Sequence, residues 1–478
     1  MRVLLVNPPA PSVESFANAG INAPPLGLAY IASVLERAGH KVEILDCQAL
    51  GLRLDQVKEE IRVRHPQVVG VTSTTPTIYS ALEIVKAAKE VDGGVTTVIG
   101  GPHASFTPRE TLSSSGELDF VVIGEGEYTM LRLLDALAED GSLEKVEGIA
   151  FRKERGKGNG KGNGNGKGGE ILETARRPYI EDLDSLPFPA RHLLPMDKYR
   201  ILGRNLTVIH VVSSRGCPFR CIFCSSSALF GKKFRARSVG NVIAEIEDAL
   251  TRYKTRNVEF MDDTFTFNRG RVLEFCEEVK RRGLDISWGC SSRVDTITRD
   301  MMEKMREAGC SIIFFGVESA SQRTLNLIGK GVTVDRAVKV IKWAKDVGIE
   351  TLASFVIGFP WETIEDMKNT IRFAKRLKPD FVEFSVATPY PGTPLYDLAK
   401  ERGLLEVEDW SKYTTIKPVM KGENFSIKDV RRLMLLSYGK FYLNPSFLIN
   451  QVRKGRRIFF NAIPRYILAF LKETIRGD

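Results

Sequence analysis

Apolar positions in residues 1–140 fall into short continuous runs separated by stretches with helical spacing. Runs near 2–7, 41–46, 68–72, 96–100 and 119–123 read as strands, and amphipathic stretches near 27–39, 53–64, 77–91 and 126–139 read as helices. Such alternation predicts a parallel sheet with helices on both faces. The rhythm returns over residues 205–400, with strands near 207–213, 257–261, 286–290, 312–316, 351–357 and 381–385. Six βα units are too few for a closed eight-stranded barrel of about 250 residues, so a partial barrel is expected. Between the two regions, residues 146–151 and Ile171-Leu172 read as a hairpin whose tip is the Gly, Lys and Asn run Gly156–Gly169. A Pro-rich connector, Leu186-Pro187-Phe188-Pro189 through Leu194-Pro195, follows. The expected organisation is α/β: a doubly wound parallel-sheet, Rossmann-like domain over 1–145, the hairpin and linker over 146–200, a partial (β/α)6 barrel over 201–400, and a basic, mainly helical extension over 401–478.

Composition changes this picture little; charge changes it in one place. The 478-residue chain is 43% hydrophobic, enough for two or three globular cores. Its net charge of +10 is concentrated: from Arg431 to the end, ten Lys or Arg face only Glu473 and Asp478, leaving +2 elsewhere. No apolar stretch reaches the roughly 18 residues of a spanning helix. Within the tail, apolar and aromatic segments at Phe441–Ile449 and Ile463–Lys472 flank Arg453-Lys454-Gly455-Arg456-Arg457. That pattern fits peripheral contact with an anionic membrane, and equally a helical cap on the barrel. No nucleic-acid recognition fold accompanies it, and no nucleic acid is expected. The opening Met1–Val6 reads as a strand rather than a secretory leader, and the scattered single cysteines argue for a cytoplasmic protein.

One run carries chemistry: Arg215-Gly216-Cys217-Pro218-Phe219-Arg220-Cys221-Ile222-Phe223-Cys224. Three thiolates at spacings of four and three can face a single metal centre. Four cysteines close a four-iron cluster for electron transfer, whereas three leave one iron able to bind a substrate or cosubstrate. A structural zinc site is the alternative. Zinc ligands come in pairs, no second pair follows, and His210 or Cys290 would have to supply the fourth ligand. Cys47, Cys276, Cys290 and Cys310 otherwise read as small buried hydrophobes. The motif follows the first barrel strand, which places it at the carboxyl-terminal rim.

This motif, with Phe223 before its third cysteine, resembles that of the radical S-adenosylmethionine enzymes. The region in front of it resembles the cobalamin-binding domain of their cobalamin-dependent class. Together the resemblance covers roughly residues 1–400. It implies a 4Fe-4S cluster held by Cys217, Cys221 and Cys224, S-adenosylmethionine on the open iron, and its one-electron cleavage to a 5′-deoxyadenosyl radical. Cobalamin on the first domain and an external electron donor of the flavodoxin or ferredoxin type are implied with it.

Further positions match the family's S-adenosylmethionine site. Phe223 stands within the motif itself. Asp262 and Asp263, ending the second strand, are candidates for the methionine ammonium group, with a helix cap as the alternative. Arg293 is a candidate for the carboxylate, since its fork suits bidentate recognition, with a salt bridge as the alternative. Glu318 in Gly316-Val317-Glu318-Ser319 matches the ribose-contacting segment, because a carboxylate at a strand end can accept from two vicinal hydroxyls. Gly358 and Glu362 belong to Gly358-Phe359-Pro360-Trp361-Glu362-Thr363, similar to the family's turn on the adenine side. For Glu362, capping of the following helix is the alternative.

In the first domain the candidate cobalamin contacts are strand-end and loop residues: Asn7 and Pro8; Pro25, Leu26, Gly27 and Leu28; Thr72, Ser73 and Thr74; Gly100, Gly101 and His103; Gly124 and Glu125. The hydroxyls of 72–74 would meet the corrin ring and residues 25–28 would pack over its edge. Gly100, Gly101, Gly124 and Glu125 would line the nucleotide tail, where small residues admit close backbone approach. The chain lacks the Asp-x-His-x-x-Gly of methionine-synthase-like domains, whose histidine ligates cobalt from below. Base-off cobalamin without a histidine ligand is therefore implied. A domain binding another nucleotide is the alternative, although neither G-x-G-x-x-G nor a P-loop is present.

The implied function is methyl transfer to an unactivated carbon of a small molecule, with the tail favouring a lipid or other apolar substrate. Oxidative cyclisation or ring rearrangement without net methyl transfer, as in the anaerobic magnesium-protoporphyrin cyclase, is the second reading. A cobalamin-binding sensor or chaperone is the non-enzymatic one, and the intact cysteines argue against it.

Overall fold

The computed structural model describes residues 1–10, 23–153, 169–199 and 207–453. Most of the Gly, Lys and Asn run and the tail beyond Arg453 lie outside the described residues. The chain divides into two compact units, with the change falling between Tyr199 and Arg200.

The first unit is built on a seven-stranded sheet of order β2-β1-β3-β4-β5-β6-β7. Its strands are β1 (Arg2–Asn7), β2 (Lys41–Asp46), β3 (Val68–Thr72), β4 (Thr96–Gly100), β5 (Phe120–Val122), β6 (Ile149–Lys153) and β7 (Glu170–Glu173). The first five are parallel, with helices α1 (Leu26–Arg37), α2 (Leu54–Arg64), α3 (Ile78–Val91) and α4 (Gly126–Ala138) in the connections. Val3, Leu4, Leu5 and Val6 are all buried, as a parallel strand covered on both faces requires. Strand order reverses between β1 and β3, and the carboxyl ends of strands flanking such a switch point form the natural ligand crevice of an open α/β sheet. Asn7, Pro8 and Thr72–Thr74 sit at those ends.

The hairpin and connector are part of this unit. β6 pairs antiparallel with β5, and β7 with β6, so the hairpin extends the sheet. The connector is tied down at three points: the Ile180 amide donates to Glu125 Oε2 (2.8 Å), the Ala190 amide to the Ala29 carbonyl (3.0 Å), and the Tyr199 hydroxyl to Asp46 Oδ2 (2.8 Å). The segment 146–200, read from the sequence as a separate hairpin and linker, thus packs as part of the first unit, which ends at Tyr199. A Pro-rich stretch reads as a linker in sequence, but one whose polar groups are satisfied on a domain packs as part of it.

The second unit carries a six-stranded parallel sheet in simple sequence order: β8 (Val208–Val211), β9 (Asn257–Phe260), β10 (Ser287–Arg293), β11 (Cys310–Glu318), β12 (Glu350–Ile357) and β13 (Phe381–Val386). β8 and β13 are its two edges, as a partial barrel requires. Connecting helices are α5 (Val239–Tyr253), α6 (Arg269–Arg281), α7 (Arg299–Glu307), α8 (Gln322–Leu327), α9 (Val334–Val347) and α10 (Ile364–Leu377). Their starts are set by side chains that accept otherwise orphaned amides: Ser238 from Asn241, Asn268 from Arg271, and Thr363 in a reciprocal box with Asp366.

Alternation along the strands separates two faces. Toward the helices, Phe260, Phe265, Phe275 and Trp288 form an aromatic cluster with ring centroids 4.4 to 6.0 Å apart, and the Trp288 indole donates to the Ala308 carbonyl (2.8 Å). On the opposite face, Ser291, Phe314, Leu352 and Phe381 share one register row and remain half-exposed.

After β13 come α11 (Pro394–Glu401), α12 (Ile427–Tyr442) and α13 (Pro445–Arg453). α12 covers the β13 edge in an unusual way. The Tyr438 hydroxyl accepts from the Phe384 amide and donates to the Phe384 carbonyl (both 3.1 Å). One helical turn on, Tyr442 does the same for Val382 (3.1 and 2.7 Å). A phenol can donate and accept at once, so two tyrosines at i and i+4 replace a missing neighbour strand. Phe441, Tyr442 and Phe447 pack on one another, placing the start of the aromatic tail within the unit. No helix of the described residues is long and apolar enough to cross a membrane.

Candidate active site

Beyond β8, residues Ser214–Arg215 pair antiparallel with Arg235–Ala236, closing a loop that contains all three motif cysteines. Gly216 enters it with φ +86°, and a Cβ there would collide with the Lys233 carbonyl. The Cys217 amide then donates to the Gly231 carbonyl (3.1 Å), and a turn brings the Cys224 amide to the Cys221 carbonyl (3.2 Å). Ile222 is clamped from both sides, donating to the Ile328 carbonyl and accepting from the Leu395 amide (3.0 Å each).

The three thiols are half-buried and unpaired. Burial is the first cause raising Cys217 and pushing Cys224 up to about 11, and the Asp263 charge adds to both. Thiols raised in this way shed their protons when a metal takes them as thiolates. Among the described residues no three His, Cys, Asp or Glu side chains converge tightly enough for a single metal ion. Three thiolates on separate corners of an iron–sulfur cube stand farther apart than three on one zinc, where the Zn–S distance is about 2.3 Å. The donor set, three soft sulfurs on one braced loop, fits a cluster.

Around the loop the sequence candidates separate by what their side chains touch. Phe223 packs edge-on against Phe359 (5.7 Å), which stacks on Trp361 (5.6 Å), so the motif aromatic docks onto the Gly358–Thr363 turn. Asp262 is buried and accepts from the Ser213 amide and hydroxyl (2.7 and 2.5 Å) and the Ser214 hydroxyl (2.6 Å), fastening the end of β8 rather than capping a helix. Asp263 is open to solvent yet crowded by protein, and the crowding lifts its carboxyl above the ordinary range; Ser226 donates to it.

Glu318 closes β11 in the left-handed region (φ +66°), a sparsely populated conformation for a residue with a side chain, and pairs with buried Lys330 (2.6 Å). Gly358 has φ +90° and packs on Val430 of α12. Glu362 folds back to accept from the Gly358 and Phe359 amides (2.9 and 3.0 Å), and burial pushes its carboxyl up to about 8. The following helix is capped by Thr363 instead. Arg293 directs Nε and Nη2 at Asp295 (2.9 and 2.8 Å), Nη2 also at the Lys330 carbonyl, and Nη1 at Cys221 Sγ (3.8 Å). Lys330 went unnoticed in the sequence. Its only signal was Gly329-Lys330-Gly331, where both glycines take positive φ (+68° and +69°).

In the first unit the candidates gather at strand ends. Ser73 donates through both amide and hydroxyl to the Gly100 carbonyl (2.8 Å each), and its own carbonyl accepts from the His103 amide (3.2 Å). Gly101 (φ +94°) fits beneath them only because it lacks a Cβ, which would lie 2.6 Å from the Ser73 carbonyl and 2.8 Å from Thr72 Oγ1. Thr74 bonds to Thr77 (3.0 Å). His103 is buried with Nδ1 near Thr75 Oγ1 (3.3 Å), and burial pushes it down to about 4, so the ring is neutral. Asn7 donates to Asp46 (2.8 Å), and Gln48 donates to the Pro8 carbonyl (2.9 Å). Pro25 precedes α1, in which Leu26 and Leu28 are buried. Glu125 is committed to the connector through Ile180. A Cβ at Gly27 or Gly124 would meet no atom within 4 Å, so both border open space.

Known proteins resemble this chain over both units. Residues 211–374 match the radical SAM superfamily model and residues 16–134 the B12 binding domain model. An uncharacterised methyltransferase of Pyrococcus horikoshii is 42% identical over 95% of both chains. The anaerobic magnesium-protoporphyrin IX monomethyl ester cyclase of Rubrivivax gelatinosus is 33% identical over 100% of this chain and 83% of its own. The cobalamin-dependent S-adenosylmethionine radical enzyme OxsB shares the fold, with a TM-score of 0.75 at 18% identity over 98% of this chain and 72% of its own. The chain belongs to the cobalamin-dependent radical S-adenosylmethionine enzymes, whose cofactors are a 4Fe-4S cluster, S-adenosylmethionine and cobalamin.

Proposed function

We propose that this enzyme transfers a methyl group to an unactivated carbon of a small molecule with an apolar framework. The observation that carries the reading is the half-buried, unpaired thiol trio on a braced loop, in a chain that aligns end to end with a methyltransferase. Cys217, Cys221 and Cys224 would hold the cluster. When bound, the cluster and S-adenosylmethionine supply a carbon-centred radical, and cobalamin supplies the methyl group. Asp263, whose carboxylate has Ser226 as its hydrogen-bond donor, would take the methionine ammonium. Glu318, steadied by Lys330, keeps lone pairs for the ribose hydroxyls. The Gly358–Thr363 turn would shape the adenine side, and the buried Trp361 indole N–H, without a partner among the described residues, is a donor facing no protein acceptor there.

The half-exposed row Phe314, Leu352 and Phe381 supports an apolar substrate, since large apolar side chains left uncovered on the face away from the helices mark a binding surface. On the cobalamin side, Gly27, Gly101 and Gly124 with the hydroxyls of Thr72–Thr74 would form the cradle. The missing Asp-x-His-x-x-Gly motif supports a cofactor held without a histidine ligand. A reductant of the flavodoxin or ferredoxin type completes the scheme.

Incubation of the reduced enzyme with methyl-labelled S-adenosylmethionine and an apolar extract of its source tests the reading. Label in a carbon-bound methyl is expected, with 5′-deoxyadenosine formed alongside. Identity with the cyclase along the whole chain favours a second reading, oxidative ring formation, which predicts 5′-deoxyadenosine and product without label.

A further inference from the structure

We propose that Arg293 sets the reduction potential of the cluster through Cys221. Arg293 is buried at 5% exposure, and its charge is held in one place by four constraints. Asp295 takes Nε and Nη2 in a bidentate fork (2.9 and 2.8 Å). The Lys330 carbonyl accepts from Nη2. The guanidinium lies 3.5 Å from the centroid of the Phe219 ring. Nη1 is left pointing at Cys221 Sγ, 3.8 Å away, within the longer reach of a hydrogen bond to sulfur.

The elements that hold Arg293 are also those that hold the loop. Gly329 comes so close to the Arg220 carbonyl that a Cβ would lie 2.7 Å from it, Ile328 accepts from Ile222, and Lys330 accepts from Arg293. Residues 328–330 thus fix the spacing between guanidinium and sulfur from both sides. Phe219, within the cysteine motif, supplies the face on which the guanidinium rests.

An N–H donor aimed at a ligand sulfur favours the more negative, reduced state of an iron–sulfur cluster, and the Arg293–Asp295 ion pair turns its positive end to that sulfur. With four of its five N–H donors committed within the protein, Arg293 is better suited to this than to gripping the methionine carboxylate. Among Cys217, Cys221 and Cys224, it singles out Cys221.

The inference rests on Cys221 being a cluster ligand, and the two are tested apart. Full-length protein, reconstituted with iron and sulfide, is taken through an electron paramagnetic resonance redox titration as wild type, Arg293→Gln and Arg293→Lys, with iron counted in each. Arg293→Gln is expected to lower the reduced-to-oxidised ratio at fixed potential about tenfold, a fall of about 59 mV for one electron. Arg293→Lys keeps the charge but loses the directed fork, and should fall by roughly half as much in millivolts. An unchanged midpoint in either variant overturns the proposal. Should Arg293→Gln fail to take up iron, the Arg293→Lys midpoint decides alone. Full iron content in Cys221→Ala would instead overturn the ligand assignment, whatever the Arg293 midpoints show.

Discussion

Replacing Tyr438 and Tyr442 by Phe removes two oxygen atoms and leaves both rings in place. In the native unit each hydroxyl satisfies the amide and the carbonyl of one β13 residue, Phe384 or Val382, and both of those residues are buried. Each substitution therefore orphans two buried backbone groups. A buried group left without a partner costs about 1–3 kcal/mol, so each single variant should lose about 2–4 kcal/mol after some relaxation. For a unit of this size a loss of 1 kcal/mol lowers the melting temperature by about 2–4 °C, which places each variant roughly 5–15 °C below wild type. Differential scanning calorimetry reads this directly, in the transition belonging to the second unit. The double variant should also scatter light on standing, because an uncovered strand edge recruits other chains. Single variants melting within 1–2 °C of wild type (about 0.5 kcal/mol) would refute the claim that the phenols serve as the missing strand.

Three further outcomes are expected. Gly101→Ala forces a side chain into φ +94° with its Cβ 2.6 Å from the Ser73 carbonyl, so cobalamin content of the purified protein, read from its absorbance, should fall several-fold while iron content holds. Glu362 has its carboxyl raised to about 8 in the fold against 4.5 as its ordinary value, so ionisation favours the unfolded chain and stability drains as pH rises between those values. Glu362→Gln should erase that loss, with its melting temperature gaining on wild type from pH 5 to pH 9, whereas parallel curves would contradict a neutral carboxyl. His103 is depressed to about 4 from 6.5, so its contribution is intact above pH 6.5 and fades as pH falls toward 4. His103→Gln should flatten that limb and leave the cobalt(II) paramagnetic spectrum without nitrogen splitting, as in wild type.

Strand and helix positions in both regions were legible because buried parallel strands read as apolar runs and their helices as amphipathic ones. The cysteine loop was legible because its spacing is local. What the sequence does not show is which distant partners its residues take. Lys330 reaches Glu318 across a helix, Arg293 reaches Cys221 across 72 positions, and the tyrosines of α12 reach β13 across more than 50. As an acid after a strand, Asp262 suggests an ammonium contact or a helix cap, whereas the serines that follow β8 engage both its oxygens. The connector read as a spacer because proline content conceals where a backbone finds its partners.

The hairpin of the first unit offers a handle for experiment. Lys153 pairs with Glu170, and Gly169 abuts the Lys153 carbonyl, so the two ends of the Gly, Lys and Asn insertion are side by side. β6 runs antiparallel to β5, so those ends emerge beside the amino-terminal ends of the parallel strands, away from Asn7, Ser73 and Gly124. Lengthening a chain segment whose ends already meet costs only about 0.6 kcal/mol for each doubling. An affinity peptide or fluorescent reporter could be spliced between Lys153 and Gly169, letting the enzyme be captured or followed under anaerobic conditions with both termini and the carboxyl ends of the parallel strands left alone.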